Sequence, residues 1–454
     1  MALVSINPAT GQRLSVHQPF TAAKLARAVA RAHSASTHWR KISPTARARK
    51  LRAVARVLRQ QSDELAILAT IEMGKPITQG RAEVEKCATA CEFYARHGSG
   101  WLADEHPPGA PRHARVTFEP LGVILAIMPW NFPFWQVLRA AAPALMAGNA
   151  MLLKHASTVT GCALALERVF AKAGLPAGVF QTLLVGSKAI PGLINNPRVS
   201  GVTLTGSTAA GRSVGALAGQ ALKPVVLELG GSDPYLILED ADLDHAAEMC
   251  AQARLLNSGQ SCVCAKRFIV VQKVRRAFEE KFSARMAARI PGDPREAATE
   301  VGPLARSDLR DELHAQVTAS VRRGARLLVG GKVPVGPGCY YPPTVLTNVR
   351  RGMPAYDEEL FGPVAAVIPV RDEEAAIAVA NDTAYGLGAA IFTRNRRRAE
   401  KIIPRLQAGM VFVNDFVRSD VTLPFGGSKE SGHGRELGRW GLRSWVNVKT
   451  VWTK

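Results

Sequence analysis

From residue 121 onwards, the chain alternates short, largely apolar runs with segments long enough to form helices. Runs without a polar alternate face are typical of parallel strands that are buried on both sides of a sheet. In the first part of this region the runs are residues 123–128, 151–154, 179–185, 202–204 and 225–229. The segments between them predict crossover helices at 135–146, 159–173 and 209–218. The pattern therefore predicts an α/β fold with one Rossmann-like layer.

A second alternation follows the glycine pair at 230 and 231. It predicts strands at 235–238 and 268–271 and helices at 242–256 and 274–290. We therefore expect a second α/β domain in the carboxyl-terminal half of the chain.

Charge and cysteine content exclude several classes of protein. The net charge of +21 is dispersed, and the densest basic run, residues 394–398, contains no aromatic residue. This predicts a solvated basic surface and no specific nucleic-acid site. The seven cysteines are an odd number without CxxC pairs, which argues against a disulfide framework and against a metal site. No signal peptide and no stretch of 18 apolar residues is recognisable, so we predict a cytoplasmic protein without membrane contact.

One cysteine lies in a segment suited to chemistry. The sequence NSGQSC, at 257–262, joins a predicted helix to a predicted strand, and Gly259 lets the backbone approach a ligand closely. Most cysteines in α/β proteins are packed as small apolar residues, whereas a nucleophile needs exposure and a supporting environment. Cys262 is therefore a candidate nucleophile whose case depends on its neighbours.

Two polar residues at predicted strand ends supply such neighbours. Glu228 lies in the run 225–229, where a buried carboxylate is costly unless it forms an ion pair or acts as a general base. Asn131 follows the run 123–128, at the sheet edge where ligands bind. Its amide can donate to a developing oxyanion, or it can bond its own backbone within a proline-bounded turn.

Two further features suit a nucleotide cofactor. The sequence GSTAAG, from Gly206 to Gly211, opens a predicted helix after the run 202–204, so its amides and the Ser207 hydroxyl can bind a pyrophosphate. Lys154 ends another predicted strand, where its ammonium can bond ribose hydroxyls or remain solvated. Neither feature is specific when taken alone.

Seven motifs together resemble the aldehyde dehydrogenase superfamily, in that family's order. They are PWNFPFW, the strand end at Lys154, GSTAAG, LELGGSDP, NSGQSC, EELFGPV at 358–364 and PFGGSKESGHGRE at 424–436. The resemblance extends from Pro8 to the carboxyl terminus. It implies NAD(P)-dependent oxidation of an aldehyde to a carboxylate, with a non-catalytic cofactor-binding protein as the less favoured alternative.

The resemblance implies a covalent mechanism that needs no metal. The Cys262 thiolate attacks the aldehyde, while the Asn131 amide and the Cys262 backbone N–H stabilise the thiohemiacetal oxyanion. After hydride transfer, a water activated by Glu228 hydrolyses the thioester. Resemblance to some members also makes Cys264 a candidate redox partner of Cys262 through a reversible disulfide, with a buried, inert thiol as the alternative.

The resemblance also implies which residues bind the cofactor. Lys154 is assigned to the adenosine ribose, Ser207 with its flanking loop to the pyrophosphate, and Glu359 to the nicotinamide ribose. Phe361 is expected to pack beside that ribose, and Trp130 to line the same cleft.

The choice between the two nicotinamide cofactors depends on Ser157, three residues after Lys154. Members that prefer NAD often carry Glu there, and its carboxylate repels the additional phosphate of NADP. Serine permits NADP, which we favour slightly over NAD.

A three-part architecture follows from the same resemblance. It comprises a Rossmann-like NAD(P)-binding domain (1–100 and 121–230), a second α/β catalytic domain (231–432) and a small β oligomerisation element (101–120 and 433–454). Residues 445–452 alternate with period two and need a strand partner, for which another subunit is a candidate. We expect a homodimer or a homotetramer.

The runs LLKHASTVTGCALALE and SGHGRELGRWGLRSWVNVKTVW look most like the bacterial succinate-semialdehyde dehydrogenase branch. The substrate of that branch carries a distal carboxylate, which an arginine should bind. Arg139, eight residues after Asn131, is the candidate, although it can instead pair with a neighbouring acid; Arg418 and Ser419 are secondary candidates. Leu256 stands where relatives often carry Arg, so glutarate semialdehyde and simple aliphatic aldehydes remain alternative substrates.

Overall fold

The computed structural model describes residues 2–453 and places its strands in five sheets within that range. The strands are β1 (Leu3–Ile6), β2 (Arg13–His17), β3 (Ala114–Pro120), β4 (Val123–Met128), β5 (Ala150–His155), β6 (Phe180–Thr182), β7 (Gly201–Thr205), β8 (Val225–Glu228), β9 (Asp233–Ile237), β10 (Ala265–Val271), β11 (Arg326–Val329), β12 (Thr344–Thr347), β13 (Val364–Val370), β14 (Tyr385–Gly386), β15 (Gly388–Phe392), β16 (Met410–Val413), β17 (Ser428–Lys429), β18 (Gly432–His433) and β19 (Val446–Trp452).

The helices range from one turn to seven turns. They are α1 (Ala22–Trp39), α2 (Pro44–Gln60), α3 (Ser62–Met73), α4 (Ile77–Trp101), α5 (Trp135–Ala147), α6 (Thr160–Lys172), α7 (Ile190–Asn195), α8 (Thr208–Gln220), α9 (Leu243–Leu255), α10 (Arg275–Ala287), α11 (Ser307–Arg322), α12 (Pro354–Asp357), α13 (Glu373–Asn381), α14 (Arg396–Ile402) and α15 (Gly438–Arg443). Within residues 2–453, no helix combines the length and the apolar content needed to cross a membrane.

The first large sheet has six strands in the order β18-β8-β7-β4-β5-β6. Its five strands from β4 to β8 are parallel, and β18 joins the edge antiparallel to β8. All residues of β4 and β7 are buried, which explains the continuous apolar run of β4 and the absence of charged residues from β7. The order reverses around β4, and such a switch point creates a ligand crevice at the carboxyl ends of the strands. The predicted Rossmann-like layer is confirmed, with β6 shorter than the run 179–185 suggested.

The second large sheet has seven strands in the order β11-β12-β13-β10-β9-β15-β16. Its neighbours are parallel except for β11 and β12. The predicted strands at 235–238 and 268–271 correspond to β9 and β10, and the predicted helices correspond to α9 and α10. The second α/β unit is therefore present as expected.

The carboxyl-terminal strand β19 pairs antiparallel with β3, with Val446 opposite Pro120 and Trp452 opposite Ala114. Another subunit, the candidate partner named from the sequence, is wrong for this edge, because a strand of the same chain occupies it. Val448 and Trp452 are large apolar residues with 60% and 56% exposure on this two-stranded ribbon.

Contacts between helices α4 and α5 position one side of the site. Glu83 on α4 accepts hydrogen bonds of 2.8 Å from the backbone N–H groups of Phe134 and Trp135, at the start of α5. Lys75 forms a buried ion pair with Glu83 and lies 3.8 Å from the centroid of the Phe132 ring. A carboxylate at a helix N-terminus is favourable, and the ion pair keeps this one from being buried alone. The pair therefore fixes the segment that carries Asn131.

Candidate active site

Two cavities meet at Cys262. The larger, which we call the edge cavity, has a volume of about 410 Å³ and lies along the carboxyl ends of β4, β7 and β8. The smaller, which we call the inner cavity, has a volume of about 240 Å³ and runs between α4, α5 and the loop after β16. Cys262 and Gln136 are the residues that line both. A molecule in either cavity can therefore reach the thiol.

Most of the residues predicted from the sequence line one of these cavities. In the edge cavity they are Trp130, Asn131, Gly206, Ser207, Cys262, Glu359 and Phe361. In the inner cavity they are Arg139, Cys262, Arg418 and Ser419.

An unusual backbone conformation presents Cys262. Asn257, Ser258 and Gly259 all have left-handed dihedral angles, with φ of 52°, 56° and 77°. A Cβ atom at Gly259 would lie 2.3 Å from the carbonyl carbon and oxygen of Gly362, so only glycine fits there. Left-handed non-glycine residues are strained and persist only where their surroundings hold them. The segment before Cys262 is therefore held in place by specific contacts.

Two buried cations provide those contacts, and the sequence analysis missed both. Arg254 donates to the carbonyl oxygens of Ala265 at 2.8 Å and Gly259 at 2.5 Å. Lys266 donates to the carbonyl oxygen of Cys262 at 2.9 Å and lies 3.2 Å from Glu359 Oε1. For Lys266 a detectable signal existed, because a charged residue inside a largely apolar strand is unusual unless it has partners.

The thiol of Cys262 is desolvated. Burial raises its pKa to about 12, with the charges of Glu359 and Glu228 adding to the rise, while Arg139 and Lys266 oppose it. The thiol is therefore protonated at neutral pH. Formation of the thiolate needs a base or a change in the surroundings that accompanies binding.

Asn131 is buried, and its amide is held from both sides. Its Nδ2 donates to the Gln260 carbonyl oxygen at 3.0 Å, and its Oδ1 accepts from Gln136 Nε2 at 3.0 Å. Asn257 Nδ2 donates to the Asn131 carbonyl oxygen at 2.7 Å, which ties the segment after β4 to the segment before Cys262. An amide has two N–H groups, so one remains to donate into the cavity.

Glu228 lies at the end of β8 but on the wall of neither cavity. It is 2% exposed, and neither carboxylate oxygen has a hydrogen-bond donor among residues 2–453. Burial raises its pKa well above the usual range, against the opposing charges of Arg139 and Arg435. Its charge contributes to the raised pKa of the Cys262 thiol, and its role as the general base stays a prediction. The predicted ion-pair alternative does not describe it, because no salt bridge reaches it within the described chain.

The first turn of α8 opens towards the edge cavity. Ser207 is the residue that caps this helix, and its Oγ accepts from the Ala210 N–H at 3.3 Å. Across the cavity, the rings of Trp130 and Phe361 meet edge to face at 5.8 Å. Glu359 Oε1 accepts from the Gly231 N–H at 3.1 Å. The cavity thus offers helix N–H groups, an aromatic pair and a carboxylate.

Three predicted cofactor residues do not line the edge cavity. Lys154 is the penultimate residue of β5 and is partly buried beside β4, and burial lowers its pKa. Ser157 is exposed in the turn that follows. Gly211 is buried inside α8, where an added Cβ would lie 2.4 Å from Leu229. Gly211 therefore allows close helix packing and is not itself part of the cavity wall, and its contact with the cofactor stays a prediction.

Arg139 lines the inner cavity but is already paired. Its guanidinium forms a buried salt bridge with Glu436, donates to Thr205 Oγ1 at 3.2 Å and lies 4.6 Å from the centroid of the Phe425 ring. Pairing with an acid was the alternative to substrate binding in the sequence analysis. The acid comes from a residue almost 300 positions away, so no local pattern indicated it.

The inner cavity also contains a cation that the sequence analysis did not single out. Lys86, on α4, lies 4.6 Å from the centroid of the Trp135 ring and donates to Ser419. Arg418 is paired with Asp415 at 2.7 Å.

Cys264 lines neither cavity. It is buried, its Sγ donates to the Leu256 carbonyl oxygen at 3.3 Å, and burial raises its pKa. Cys262 and Cys264 are both free thiols. Their proposed disulfide stays a prediction.

Comparison with known proteins gives one consistent picture. The model of the aldehyde dehydrogenase family matches residues 2–451. The succinate semialdehyde dehydrogenase Sad of Escherichia coli K12, named as NAD(P)+-dependent, is 48% identical over 449 residues, which cover 99% of this chain and 97% of that protein. Succinate-semialdehyde dehydrogenase 1 of Mycobacterium tuberculosis H37Rv, named as NADP(+)-dependent, is 47% identical over 455 residues and 100% of both chains.

A solved structure agrees with these sequence matches. The crystal structure of succinic semialdehyde dehydrogenase from Streptococcus pyogenes in complex with NADP+ superposes with a TM-score of 0.97. It is 37% identical, and the match covers 100% of both chains.

Proposed function

This chain belongs to the aldehyde dehydrogenase family, and from that premise we propose that it oxidises succinate semialdehyde to succinate with NADP or NAD. One observation supports the proposal above all others. The thiol of Cys262 stands at the junction of a cavity with the features of a nucleotide site and a second cavity lined largely by apolar residues. An enzyme that passes hydride between two ligands through a covalent intermediate needs this arrangement.

Cys262 acts as the nucleophile in this proposal. Its sulfur forms a bond to the aldehyde carbon, and the carbonyl oxygen becomes the thiohemiacetal oxyanion. The free N–H of the Asn131 amide and the backbone N–H of Cys262 donate to that oxygen. Because Asn131 is held by Gln260 and Gln136, its amide needs little reorganisation as charge develops.

Glu228 acts as the general base in the second stage. The thioester left after oxidation is attacked by a water that gives its proton to the carboxylate, which releases the acid and the thiol. Since Glu228 lies outside both cavity walls, its side chain must turn towards Cys262 before it can act. Its buried oxygens form no hydrogen bonds within the described residues, so this movement breaks none.

The edge cavity fits a nicotinamide dinucleotide. The N–H groups of Ser207, Thr208 and Ala209 have no acceptor among residues 2–453, and such amides at a helix N-terminus bind a pyrophosphate. Glu359 is placed to accept from ribose hydroxyls, and Phe361 with Trp130 to pack beside the adjoining ring. A bound nicotinamide would supply the oxidant for the reaction, as the acceptor of the hydride that the substrate carbon gives up. Lys154 and Ser157 would meet the adenosine end, and the lack of an acidic residue at 157 favours NADP.

The inner cavity is the proposed entrance for the aldehyde. Its volume suits a chain of a few carbons, and its aromatic residues pack against methylene groups. Arg139 remains our proposed contact for the distal carboxylate, with Arg418 and Ser419 nearby, although Arg139 must share its charge with Glu436.

We also propose that the chain assembles as a homodimer or homotetramer through the ribbon of β3 and β19. We retain the proposed division of the chain into cofactor-binding, catalytic and oligomerisation parts.

A substrate panel tests the function. Purified enzyme is supplied with succinate semialdehyde, glutarate semialdehyde and butanal, each with NAD and with NADP, and reduced cofactor is followed by absorbance. We expect the highest kcat/KM for succinate semialdehyde with NADP. Equal or better turnover of butanal would show that the enzyme is a general aldehyde dehydrogenase and would exclude the proposed substrate.

A further inference from the structure

The inner cavity contains four charged residues, and three of them are neutralised by neighbours. Glu83 pairs with Lys75, Arg139 pairs with Glu436, and Arg418 pairs with Asp415. The fourth is Lys86, and no carboxylate of residues 2–453 lies within ion-pairing distance of its ammonium. The cavity wall therefore carries one uncompensated positive charge.

The hydrogen bonds of Lys86 leave room for a ligand. Its Nζ donates to the carbonyl oxygen and to Oγ of Ser419, each at 2.7 Å. An ammonium has three N–H groups, so one remains unused. Because Ser419 Oγ accepts from Lys86, its own O–H is free to donate. The two residues together present two donors, which matches the two oxygens of a carboxylate.

The position of Lys86 favours a fixed binding site over a flexible surface charge. The side chain is partly buried and stacks over the Trp135 ring at 4.6 Å from its centroid. It lines the same cavity as Cys262. Fixing a lysine in this way costs side-chain entropy and desolvation, and a ligand that supplies the missing negative charge offsets both.

We propose that Lys86, with Ser419, binds the distal carboxylate of the substrate and so determines the preference for carboxylated over neutral aldehydes. The inference rests on the proposed function, since it concerns the far end of the same substrate. Arg139 is then a secondary contact for the same carboxylate, because Glu436 already neutralises its charge.

A pair of variants tests the role of the charge. Lys86→Met keeps much of the side-chain length but removes the ammonium, and Lys86→Arg keeps the charge. Succinate semialdehyde and butanal serve as substrates because they have the same number of carbons and differ in the distal group. Lys188→Met is the control, since Lys188 is exposed in a turn remote from both cavities.

For Lys86→Met we expect KM for succinate semialdehyde to rise roughly 10- to 100-fold, the effect of losing a charge-assisted hydrogen bond, with little change in kcat. KM for butanal should stay within about twofold, and Lys86→Arg should recover most of the loss. The control should behave as wild type. An equal rise in KM for both aldehydes would assign Lys86 a structural role and overturn the proposal.

A binding measurement keeps the test independent of turnover. Succinate should protect Cys262 of the wild type against alkylation by iodoacetamide, and should protect Lys86→Met much less. If wild type does not prefer succinate semialdehyde and succinate does not protect it, the proposed function fails. If wild type shows both properties and Lys86→Met retains them, only the role of Lys86 fails.

The wild type alone offers a further measurement, which does not depend on folding of a variant. Burial and the charge of Arg139 lower the pKa of Lys86 to about 8, while Asp420, Glu83 and Cys87 act in the opposite direction. Lys86 therefore loses its charge as the pH rises through about 8. The ratio of kcat/KM for succinate semialdehyde to that for butanal should fall over this range, since ionisation of Cys262 affects both substrates alike. A ratio that stays constant beyond pH ~11, above the ordinary pKa of a lysine, would contradict the proposal.

Discussion

Burial of the nucleophile works against its own reactivity, since desolvation disfavours the thiolate of Cys262. The residues that oppose this effect, Arg139 and Lys266, are both engaged in other bonds. The thiol is thus kept protonated, and less open to oxidation, until substrate and cofactor alter its surroundings.

Replacement of the nucleophile gives the first prediction. Cys262→Ala should reduce formation of NAD(P)H to the level of the enzyme-free control, because no other thiol lies on a wall of either cavity. The dissociation constant of NADP, measured by fluorescence titration, should change by less than about threefold. Residual turnover comparable with that of the wild type would rule out the covalent mechanism.

The base can be tested separately from the nucleophile. Glu228→Gln should still release a burst of NAD(P)H equal to the number of active sites, whereas the steady-state rate should fall by about 10²- to 10⁴-fold. The reason is that only hydrolysis of the thioester needs the carboxylate. Stopped-flow absorbance measures both phases, and loss of the burst itself would place Glu228 in an earlier step.

Arg139 carries a prediction about stability as well as binding. Arg139→Ala leaves Glu436 buried without its ion pair, which should lower the free energy of unfolding by about 3–5 kcal/mol. Arg81→Ala removes an exposed pair with Asp63 and should cost less than about 1 kcal/mol. Urea denaturation compares the stabilities of the two variants.

The same variant gives a kinetic prediction. Arg139→Ala should raise KM for succinate semialdehyde more than for butanal, and equal effects on the two KM values would remove Arg139 from the substrate site.

At the scale of elements, the strands were more predictable than the contacts between them. β4 was predicted with its observed bounds, because a strand buried on both faces leaves a continuous apolar run in the sequence. Two pairings, that of Arg139 with Glu436 and that of β19 with β3, depend on tertiary packing. Neither pairing produces a local pattern in the sequence. Lys86 was missed for the same reason, since one lysine in a long helix is usually solvated.

The segment before Cys262 can be tested through its glycine. Gly259→Ala should abolish most activity, because its methyl group would collide with the backbone at Gly362 and displace the nucleophile. Gly352→Ala is the matched control, since Gly352 also has a positive φ, of 87°, but has open space around it. Both variants should lose about 1 kcal/mol or more from backbone strain, measured by thermal unfolding. Only Gly259→Ala should lose activity, and normal kinetics for it would show that the loop tolerates displacement.

At the scale of the whole molecule, the ribbon of β3 and β19 exposes large apolar side chains. Side chains of this kind are usually covered in a subunit interface. On the proposed assembly through this ribbon, Val448→Glu should shift sedimentation from the oligomer to a smaller species, because a carboxylate is costly to bury in an interface. Val335→Glu places the same change on an exposed loop and should leave the sedimentation coefficient unaltered. An unchanged oligomer in Val448→Glu would direct the search to another surface.

The net charge of +21 affects the whole surface, whereas the charges beside Cys262 act locally. The basic residues are distributed over the surface, and many form exposed ion pairs such as Arg59 with Glu85 and Glu92. Such a surface attracts anionic substrates in general and contributes little to specificity. Discrimination between aldehydes is therefore left to the few buried charges beside the nucleophile.

The junction of two cavities at one thiol has a kinetic consequence. A carboxylic acid that plugs the inner cavity leaves the nucleotide free to exchange from the opposite side. Dead-end inhibitors of that type should therefore compete with the aldehyde and not with NADP. Compounds that extend from one cavity into the other past Gln136 should compete with both the aldehyde and NADP. A single molecule bound along the shared wall would therefore inhibit both steps of the reaction.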